Sequence, residues 1–373
     1  MKIGKIDVIP TRLPFKSDFK IARGSVGNPD VGAPHVFVRI EAENGVVGWG
    51  EARPSHRWSY ETEESVVSTI RDYLAPVLIG KAIADFDGIH HVMDVEIAPG
   101  MTHGQPIAKC AVDMALHDLH ARLCGINVQE LFGSCKRADV KLTWIVSDQT
   151  PEGAARMASE AVSKGYGGVK VKIGFSPERD AEILGAVKET APDAYLWADA
   201  NQAYRVADAR RVIRSASDLG VDLMEQPLPA NDLDGHRRLV GYSDVPIALD
   251  ESVWSPGDLV NAIRAEAIDA LVVKLSKMAG LNRARRCIEM AQSAGISVIG
   301  SGLTESPLGF TASVQLYSAY GIEYADLNGP GQFLGGGPAW EAIKIERGVV
   351  CPPLGPGIGI EMDERDIRSF ERP

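Results

Sequence analysis

Three acidic residues each follow a short apolar run, and the spacing between them is nearly constant. Asp199 follows the run YLWA, Glu225 follows VDLM, and Asp250 follows VPIAL. The steps along the chain are 26 and 25 residues, a length that holds one β-strand, one crossover helix and two turns. Parallel strands of this kind bring the three carboxylates side by side at their C-terminal ends. Such carboxylates repel one another unless a cation lies between them, and oxygen-only ligands suit Mg²⁺.

Two lysines stand one repeat before and one repeat after these acids. Lys172 ends the run GVKVK, 27 residues before Asp199. Lys274 ends the run IDALVVK, 24 residues after Asp250. Lys170 is two positions from Lys172 on the same strand, so both side chains point to one face. We expect two ammonium groups so close together near a metal to lower each other's pKa, which makes Lys172 a usable base near neutral pH.

This order of charges suits the removal of a proton next to a carboxylate. A carboxylate substrate would coordinate the cation, and one lysine would take the weakly acidic proton from the α-carbon. The cation would stabilise the ene-diolate that forms, and the second lysine would return a proton from the other side and invert the centre. A lysine base with Mg²⁺ and an ene-diolate is a known catalytic pattern.

The same alternation of short strand and helix continues on both sides of the acids. Strand-like runs begin near residues 141, 168, 195, 221, 245, 268, 296 and 322. This pattern predicts an α/β fold with a (β/α)8 TIM-type barrel rather than an open doubly wound sheet. We predict an α+β capping domain over residues 1–130, the catalytic barrel over 131–330, and a C-terminal segment over 331–373 that packs back on the capping domain.

Two loops of the first region are candidates for covering a site. Residues 15–32 are rich in Gly, Ser, Asn and Pro, and we expect a long irregular loop that is either a surface connection or a flap. Residues 53–60 either line the mouth of a pocket or join a strand to a helix. Helices are predicted over residues 61–74, where Pro76 should end or kink the helix, and over 106–124. His103 lies in a Gly-rich loop, where a solvated histidine is the simpler interpretation and a catalytic one the alternative.

The composition limits the partners and the location of the protein. The chain has 373 residues and a formal net charge of −11, which argues against nucleic acid or an anionic membrane as the main partner. No apolar run is long enough to span a membrane. The first residues lack the apolar core of a signal peptide, so a cytoplasmic protein is expected. The five cysteines form no CxxC pair, which favours reduced thiols.

Several motifs spread over nearly the whole chain are specific as a set. They are VVGWGE at 46–51, AVDMALHD at 111–118, KVK at 170–172, DANQ at 199–202, EQP at 225–227, DES at 250–252 and KLSK at 274–277. With them the chain resembles the enolase superfamily, in the muconate-lactonizing-enzyme-like subgroup of the mandelate racemase/muconate lactonizing enzyme family. The resemblance implies a capped TIM barrel, with its two specificity loops at residues 15–32 and 53–60.

The resemblance also implies roles for individual residues. It assigns Mg²⁺ binding to three acids, namely Asp199, Glu225 and Asp250. It makes Lys172 and Lys274 the acid/base pair, and Lys170 the residue that stabilises the substrate carboxylate. Asn201 and Glu251 are expected to orient metal ligands, and Lys277 to be solvated or to support the site. A homo-oligomer, such as a dimer or an octamer, is also implied.

Histidine usage and the last strand narrow the choice within the family. No histidine follows His236. This argues against the mandelate-racemase branch and most acid-sugar dehydratases, which resemble each other in using a histidine base on the seventh strand. The eighth strand ends in DLNGP at 326–330, which is similar to the Asp-x-Asp motif of dipeptide epimerases. Asp326 matches the motif and Asn328 departs from it, which weakens a charge-based grip on a substrate ammonium group. Glu305, in the GLTES stretch, either contacts the substrate or holds its loop.

We therefore interpret the chain as a Mg²⁺-dependent racemase or epimerase of an amino-acid-derived carboxylate, such as a dipeptide or an N-modified amino acid. Lys170, Glu305, Asp326 and Asn328 are its expected substrate-binding residues. The alternatives are a cycloisomerase of a muconate-like diacid or another lysine–lysine reaction such as o-succinylbenzoate synthesis. A non-catalytic binding protein is the alternative of another class, and a binder has no need of two opposed lysines.

Overall fold

The computed structural model describes residues 1–21, 24–100, 102–133 and 135–371. The first region folds as antiparallel strands followed by helices. The strands are β1 (Ile3–Leu13), β2 (Phe19–Ile21), β3 (Gly24–Gly27), β4 (Ala33–Ala42) and β5 (Val47–Ala52). The helices are α1 (Glu63–Ser68), α2 (Ala75–Leu78), α3 (Phe86–Glu96) and α4 (Pro106–Cys124). Strands β1, β4 and β5 form one sheet in that order, and β2 pairs with β3 alone.

The glycines of the VVGWGE motif let helix α4 approach the sheet closely. A Cβ atom added to Gly50 would lie 2.0 Å from the carbonyl oxygen of Ala111, and one added to Gly48 would lie 2.4 Å from that of Ala115. Any larger residue would push the helix away, because both contacts are with backbone atoms. The motif therefore fixes the helix against β5, whose last residues lead towards the barrel.

Eight parallel strands follow and close on themselves. They are β6 (Val140–Val146), β7 (Gly168–Lys172), β8 (Tyr195–Asp199), β9 (Leu223–Glu225), β10 (Ile247–Leu249), β11 (Ala270–Val273), β12 (Ser297–Ser301) and β13 (Tyr324–Asp326). Strand β13 pairs with β6, with Tyr324 opposite Lys141, which closes the ring. The predicted (β/α)8 barrel with an N-terminal capping domain is confirmed. Apolar side chains such as Trp197, Val272 and Ile299 fill its interior.

Helices connect successive strands on the outside of the barrel. They are α5 (Pro151–Ser163), α6 (Pro177–Thr190), α7 (Val206–Asp218), α8 (Leu233–Val240), α9 (Pro256–Arg264), α10 (Leu281–Ser293) and α11 (Pro307–Tyr320). Four of them begin with a Ser or Thr cap followed by proline, and the caps are Thr150, Ser176, Ser255 and Ser306. Each cap side chain accepts a backbone N–H of the first turn, which is why these helices start where the sequence places a Ser/Thr-Pro pair.

The C-terminal segment contacts both parts of the chain. Strand β14 (Val349–Val350) pairs antiparallel with β6 of the barrel. Helix α12 (Glu364–Arg368) is followed by Phe370, whose carbonyl oxygen accepts the backbone N–H of Arg12 on β1 at 3.0 Å. The domain limits at residues 130 and 330 stay a prediction. In the described part of the chain, no helix is both long and apolar enough to cross a membrane.

Two local predictions differ from the structure. Residues 19–21 and 24–27 pair as the antiparallel strands β2 and β3, called the hairpin below, where an irregular loop was expected. The helix that begins at Glu63 continues past Pro76 to Leu78. Pro76 lies in the first turn of α2, directly after the π-helix Thr69–Leu74, whose last bond runs from Ala75 N–H to the carbonyl of Ile70. The missing N–H of a proline is tolerated in a first turn.

Candidate active site

The ends of neighbouring barrel strands bring the predicted acids into one row. Asp199 on β8 is the register partner of Lys172 on β7 and of Glu225 on β9. Asp250 directly follows β10, the next strand in the ring. The three acids are fully buried at the C-terminal mouth of the barrel. The spacing of the apolar runs therefore predicted this row correctly, because parallel strands in register align their ends.

Lysine ammonium groups pair with both ends of the row. Lys172 Nζ donates to Asp199 Oδ2 at 2.6 Å, and Lys274 Nζ donates to Asp250 Oδ2 at 2.5 Å. Lys277 Nζ donates to the other oxygen of Asp250, Oδ1, at 2.8 Å. Lys277 is fully buried, so of its two expected roles the structure excludes a solvated side chain and favours support of the site. The two candidate acid/base lysines thus lie at opposite ends of the carboxylate row.

The third lysine, Lys170, stands at the centre of the charges. Its Nζ atom donates to Asp326 Oδ2 at 2.7 Å and lies 3.1 Å from Asp199 Oδ2. The same atom is 2.8 Å from Glu225 Oε2, which is an ion-pair distance although the contact lacks hydrogen-bond geometry. Lys170 also lies 4.1 Å from the ring centre of Trp197 in the barrel interior. Lys170 therefore links the metal-ligand candidates to the eighth strand.

These pairings set the direction of the pKa shifts. Burial alone would raise the pKa of Asp199, but the ammonium groups of Lys170 and Lys172 outweigh it and hold that pKa at about 2. Burial also opposes the charge of Lys170, yet the surrounding carboxylates raise its pKa above the ordinary value. The acids, not the second lysine, dominate the surroundings of Lys170. The expectation that two lysines near a metal lower each other's pKa concerns the metal-bound site and stays a prediction.

The donor set fits a hard divalent cation. In the described residues no three His, Cys, Asp or Glu side chains already form a metal cluster, and the outer acids are paired with lysines instead. Both carboxylate oxygens of Glu225, in the middle of the row, are nevertheless buried without a hydrogen-bond partner. Burial and the charge of Asp199 raise the pKa of Glu225. Oxygen donors that repel one another in this way are the ligands that Mg²⁺ takes.

Asn201 connects the row to a further acid. Its backbone N–H donates to Asp199 Oδ1 at 2.9 Å, and its side-chain oxygen accepts from Lys172 Nζ at 3.1 Å. Its side-chain nitrogen donates to Glu251 Oε1 at 3.1 Å. Asn201 adopts a positive φ of 42°, a conformation that asparagine tolerates better than most residues. The residue therefore contacts one acid of the row and one candidate lysine at the same time.

A cavity above the row is lined by both parts of the chain. The barrel contributes Lys170, Lys172, Asn201, Lys274, Asp326 and Asn328. The hairpin contributes Phe19, Ile21 and Val26, and the second loop contributes Arg53, Ser55 and Trp58. Both segments that the sequence singled out as covering loops thus border the cavity. Its walls combine several positive charges with apolar side chains, which is suited to an anionic molecule with an apolar portion.

The two substrate-binding candidates at the end of the eighth barrel strand each have one buried polar atom to spare for a ligand. Asp326 Oδ1 and Asn328 Nδ2 are buried without a hydrogen-bond partner among the described residues. One is an acceptor and the other a donor, so together they match a group that can both donate and accept. Glu305, which was expected either to contact the substrate or to hold its loop, is placed for the second of these roles. It lies behind Gly302, outside the cavity lining, and accepts the backbone N–H of Leu303 at 2.7 Å, so it holds the loop.

Aromatic rings from the covering segments lie next to the two outer lysines. The ring centre of Trp58 is 4.3 Å from Lys274 Nζ, and that of Phe19 is 6.0 Å from Lys172 Nζ. Trp58 stacks on Trp254 with ring centres 5.2 Å apart, and Trp254 stacks on His103 in turn. His103 does not line the cavity, so it supports the aromatic stack rather than the chemistry. The sequence placed Phe19, Arg53 and Trp58 within the two candidate covering segments but singled out none of them individually.

The fold and the site together define the class of protein to which this chain belongs. A capped (β/α)8 barrel carries a row of carboxylates bracketed by lysines at the C-terminal mouth, where barrel enzymes place their catalytic groups. A family model described as the mandelate racemase/muconate lactonizing enzyme N-terminal domain matches residues 5–133, and one described as the enolase C-terminal domain-like family matches residues 153–366. The chain belongs to this family, within the muconate-lactonizing-enzyme-like part of the enolase superfamily, and is an enzyme of the isomerase class.

Known relatives cover the whole chain and differ in their reactions. The N-succinyl-L-Arg/Lys racemase of Bacillus cereus is 30% identical over 99% of this chain and 98% of its own length, and its crystal structure superposes with a TM-score of 0.92. The chloromuconate cycloisomerase of a Pseudomonas species is also 30% identical, over 98% of this chain and 96% of its own length. Sequence identity therefore does not separate the two reactions.

One solved structure is similar to this chain and contains both a metal and a substrate. It is the dipeptide epimerase of Enterococcus faecalis, complexed with Mg and the dipeptide L-Leu-L-Tyr. The two chains are 29% identical, with a TM-score of 0.88 over 97% of this chain and all of the other. A member of the family thus binds Mg and a small carboxylate substrate on this fold.

Proposed function

We propose that the protein is a Mg²⁺-dependent racemase or epimerase that removes and returns the α-proton of an amino-acid-derived carboxylate. The observation that supports it best is the placement of the two outer lysines. Lys172 pairs with Asp199 and Lys274 pairs with Asp250, at opposite ends of one row of acids. Inversion of a carbon centre needs one group that takes a proton and another that returns it from the other side.

The row of acids is proposed to hold the metal. Asp199, Glu225 and Asp250 would bind Mg²⁺, and the bound ion would supply positive charge that stabilises negative charge developing on the substrate carboxylate. Lys170, which already contacts acids of this row, would hold a carboxylate oxygen of the substrate. This arrangement lets the lysines act on the α-carbon while the carboxylate stays in one position.

The outer lysines are proposed to move the proton. In its neutral form Lys172 or Lys274 takes the α-proton, and the other lysine, in its protonated form, donates to the opposite face. Asp326 Oδ1 would accept an N–H of the amino or amide group next to the α-carbon, and Asn328 Nδ2 would donate to an amide carbonyl oxygen, because both atoms lie in the cavity wall and have no partner among the described residues. The orientation of that group determines which face of the α-carbon each lysine reaches.

A second candidate is a cycloisomerase of a muconate-like diacid. The chloromuconate cycloisomerase supports this candidate, because its sequence identity to this chain is the same as that of the racemase. Cycloisomerisation needs only one lysine as an acid, whereas racemisation needs both. A requirement for both lysines therefore separates the two candidates.

A screen in D₂O tests the proposal. Dipeptides, N-acylamino acids, proline derivatives and muconates are incubated with enzyme and Mg²⁺, and mass gain at the α-carbon is followed by mass spectrometry. We expect deuterium in an amino-acid derivative, with loss of the signal on chelation by EDTA and in Glu225→Gln. A new ring in a muconate without α-exchange in any amino acid would support the cycloisomerase instead. Exchange that persists in the double variant Lys172→Met/Lys274→Met would contradict both.

A further inference from the structure

We infer that Asp113, on helix α4 of the capping domain, is a positioning residue for Lys274. Asp113 does not line the cavity, so it acts through the segment of residues 274–280 between β11 and α10, called the β11–α10 turn below. This inference rests on the proposed function, because it takes Lys274 to move a proton on one face of the α-carbon. Asp113 belongs to the AVDMALHD motif at 111–118, which the proposed chemistry leaves without a role.

The β11–α10 turn carries both lysines that bind Asp250. Lys274 Nζ donates to one carboxylate oxygen of Asp250, and Lys277 Nζ donates to the other and to the backbone carbonyl. Every residue of the turn is buried. The turn closes on itself, since the N–H of Gly280 at its end donates to the carbonyl of Leu275, next to Lys274, at 2.9 Å. A shift of the backbone at Gly280 would therefore also move the backbone from which Lys274 projects.

The carboxylate of Asp113 lies against the end of this turn. A Cβ atom added to Gly280 would lie 2.2 Å from Asp113 Oδ2, so only a glycine lets the carboxylate come this close. The same oxygen accepts the backbone N–H of Asn282, in the first turn of α10, at 3.4 Å. Gly280 is the N-cap of α10 and has no side chain that could accept such an N–H. A carboxylate of the capping domain thus takes the place of a cap residue, and its negative charge is favourable at a helix N-terminus.

Two buried histidines hold Asp113 in place. His90, on α3, bonds through Nε2 to Asp113 Oδ1 at 2.7 Å. His117, one turn further along α4, has its Nδ1 atom 3.3 Å from Asp113 Oδ2 and 2.8 Å from the backbone carbonyl of Asp113. Burial alone would raise the pKa of Asp113, but His117 and His90 outweigh it and hold that pKa well below its ordinary value. Asp113 therefore stays charged, and its two oxygens are fixed from two sides.

A general contribution to stability would affect both faces of the substrate alike. In the part of the chain that the structure describes, the hydrogen bonds and ion pairs of Asp113 are with residues of α3, α4 and α10, and none is with β7, which carries Lys172. A positioning role therefore predicts a loss on the Lys274 side alone.

Deuterium exchange at the α-carbon tests this one-sided effect. Initial rates are measured with Mg²⁺ for each pure enantiomer of an exchanging substrate, and the enantiomer that faces Lys274 is the one whose exchange is lost in Lys274→Met. We expect Asp113→Ala to slow its exchange by about 10- to 100-fold, which is the size of loss that a misplacement of about 1 Å can cause. The other enantiomer should exchange at nearly the wild-type rate. Asp113→Asn, which can keep one oxygen for Asn282, should retain part of the lost rate.

Asp118→Asn is the matched control on the same helix. Asp118 and Asp113 are both 1% exposed, and the carboxylate of Asp118 accepts the backbone N–H groups of Trp49 at 2.9 Å and Ile358 at 2.8 Å. Asp118 thus ties α4 to β5 and to the C-terminal segment rather than to the β11–α10 turn. We expect any loss in this variant to be equal for both enantiomers. Equal slowing of both enantiomers by Asp113→Ala overturns the inference.

Crystal structures with Mg²⁺ test the inference without turnover. After superposition of the barrels, we expect the β11–α10 turn and Lys274 Nζ to shift by about 1 Å in Asp113→Ala, while Lys172 keeps its position. Asp113→Asn is nearly isosteric and serves the same comparison if Asp113→Ala does not fold. An unshifted Lys274 overturns the inference. If no acid exchanges deuterium, the proposed function is wrong, and these structures still decide whether Asp113 positions Lys274.

Discussion

The carboxylate of Glu51, at the end of the capping sheet, accepts the backbone N–H of Ser306 at 2.8 Å, at the first turn of α11 in the barrel. The same carboxylate accepts the N–H of Gly309 at 2.9 Å and bonds to His35. A helix N-terminus carries partial positive charge and unpaired N–H groups, so a buried carboxylate is stable there. This contact joins the strand before the second covering loop to the barrel, and so it sets where Arg53 and Trp58 stand.

Replacing this carboxylate should loosen the capping sheet from the barrel. Glu51→Gln removes the charge while keeping the shape, and it leaves N–H groups of α11 poorly satisfied. We expect a loss of about 3 kcal/mol in the free energy of unfolding, measured by urea denaturation. The matched control is Glu43→Gln at an exposed turn, which should change stability by less than about 0.5 kcal/mol. Equal effects of the two variants would mean that the contact with α11 contributes nothing.

Single replacements of the outer lysines should separate exchange from inversion. In Lys172→Met, Lys274 can still take and return a proton on its own side, so one enantiomer exchanges its α-proton without racemising. Lys274→Met should do the same for the other enantiomer. We expect racemisation to fall by about 10²- to 10⁴-fold in each variant, followed by NMR in D₂O with each pure enantiomer. Loss of exchange for the same enantiomer in both variants would contradict opposed roles.

The aromatic rings beside the lysines should have equally one-sided effects. Trp58 contacts Lys274 and Phe19 lies near Lys172, so each ring restrains the ammonium group on one side of the substrate. Trp58→Leu should slow exchange of the enantiomer that faces Lys274 by about 5- to 30-fold, in line with a desolvated cation–π contact. Phe19→Leu is its matched partner and should have a smaller effect on the other enantiomer. A uniform decrease for both enantiomers would indicate a general change in the cavity instead.

A buried acid away from the site should make stability depend on pH. Glu61 accepts the backbone N–H groups of Ile107 and Ala108, at the start of α4, and burial raises its pKa to about 7. In the unfolded chain a glutamate titrates near about 4.3, so the folded state binds the extra proton between these values. Stability should therefore fall as pH rises from about 4.3 to 7. The difference in unfolding free energy between wild type and Glu61→Gln, measured across this range, isolates the effect, and a difference that does not vary with pH would contradict it.

Residue spacing along the chain predicted much of the barrel and of its row of charges. Asp199, Glu225 and Asp250 end their strands one repeat apart, and register between parallel strands then aligns them without information from distant parts of the chain. The positions of Lys172 and Lys274 were predictable for the same reason, because these lysines occupy the equivalent ends of their strands. The Ser/Thr-Pro helix starts are similarly local, since each depends on backbone conformation over a few residues. The glycines of β5 are not local, because the close approach of helix α4 requires them.

The cavity walls depend instead on contacts between distant segments. Arg53 meets Thr304 across 251 positions, and no local pattern predicts which way its side chain turns. The sequence left open whether Glu305 contacts the substrate or holds its loop, and tertiary packing places it behind Gly302, where it accepts the backbone N–H of Leu303. The sequence by itself thus determined the barrel and the order of its acids and lysines. Only the tertiary structure decided which side chains of the capping domain reach these acids and lysines. The physical reason is that the packing of the capping domain against the barrel sets the direction in which those side chains point.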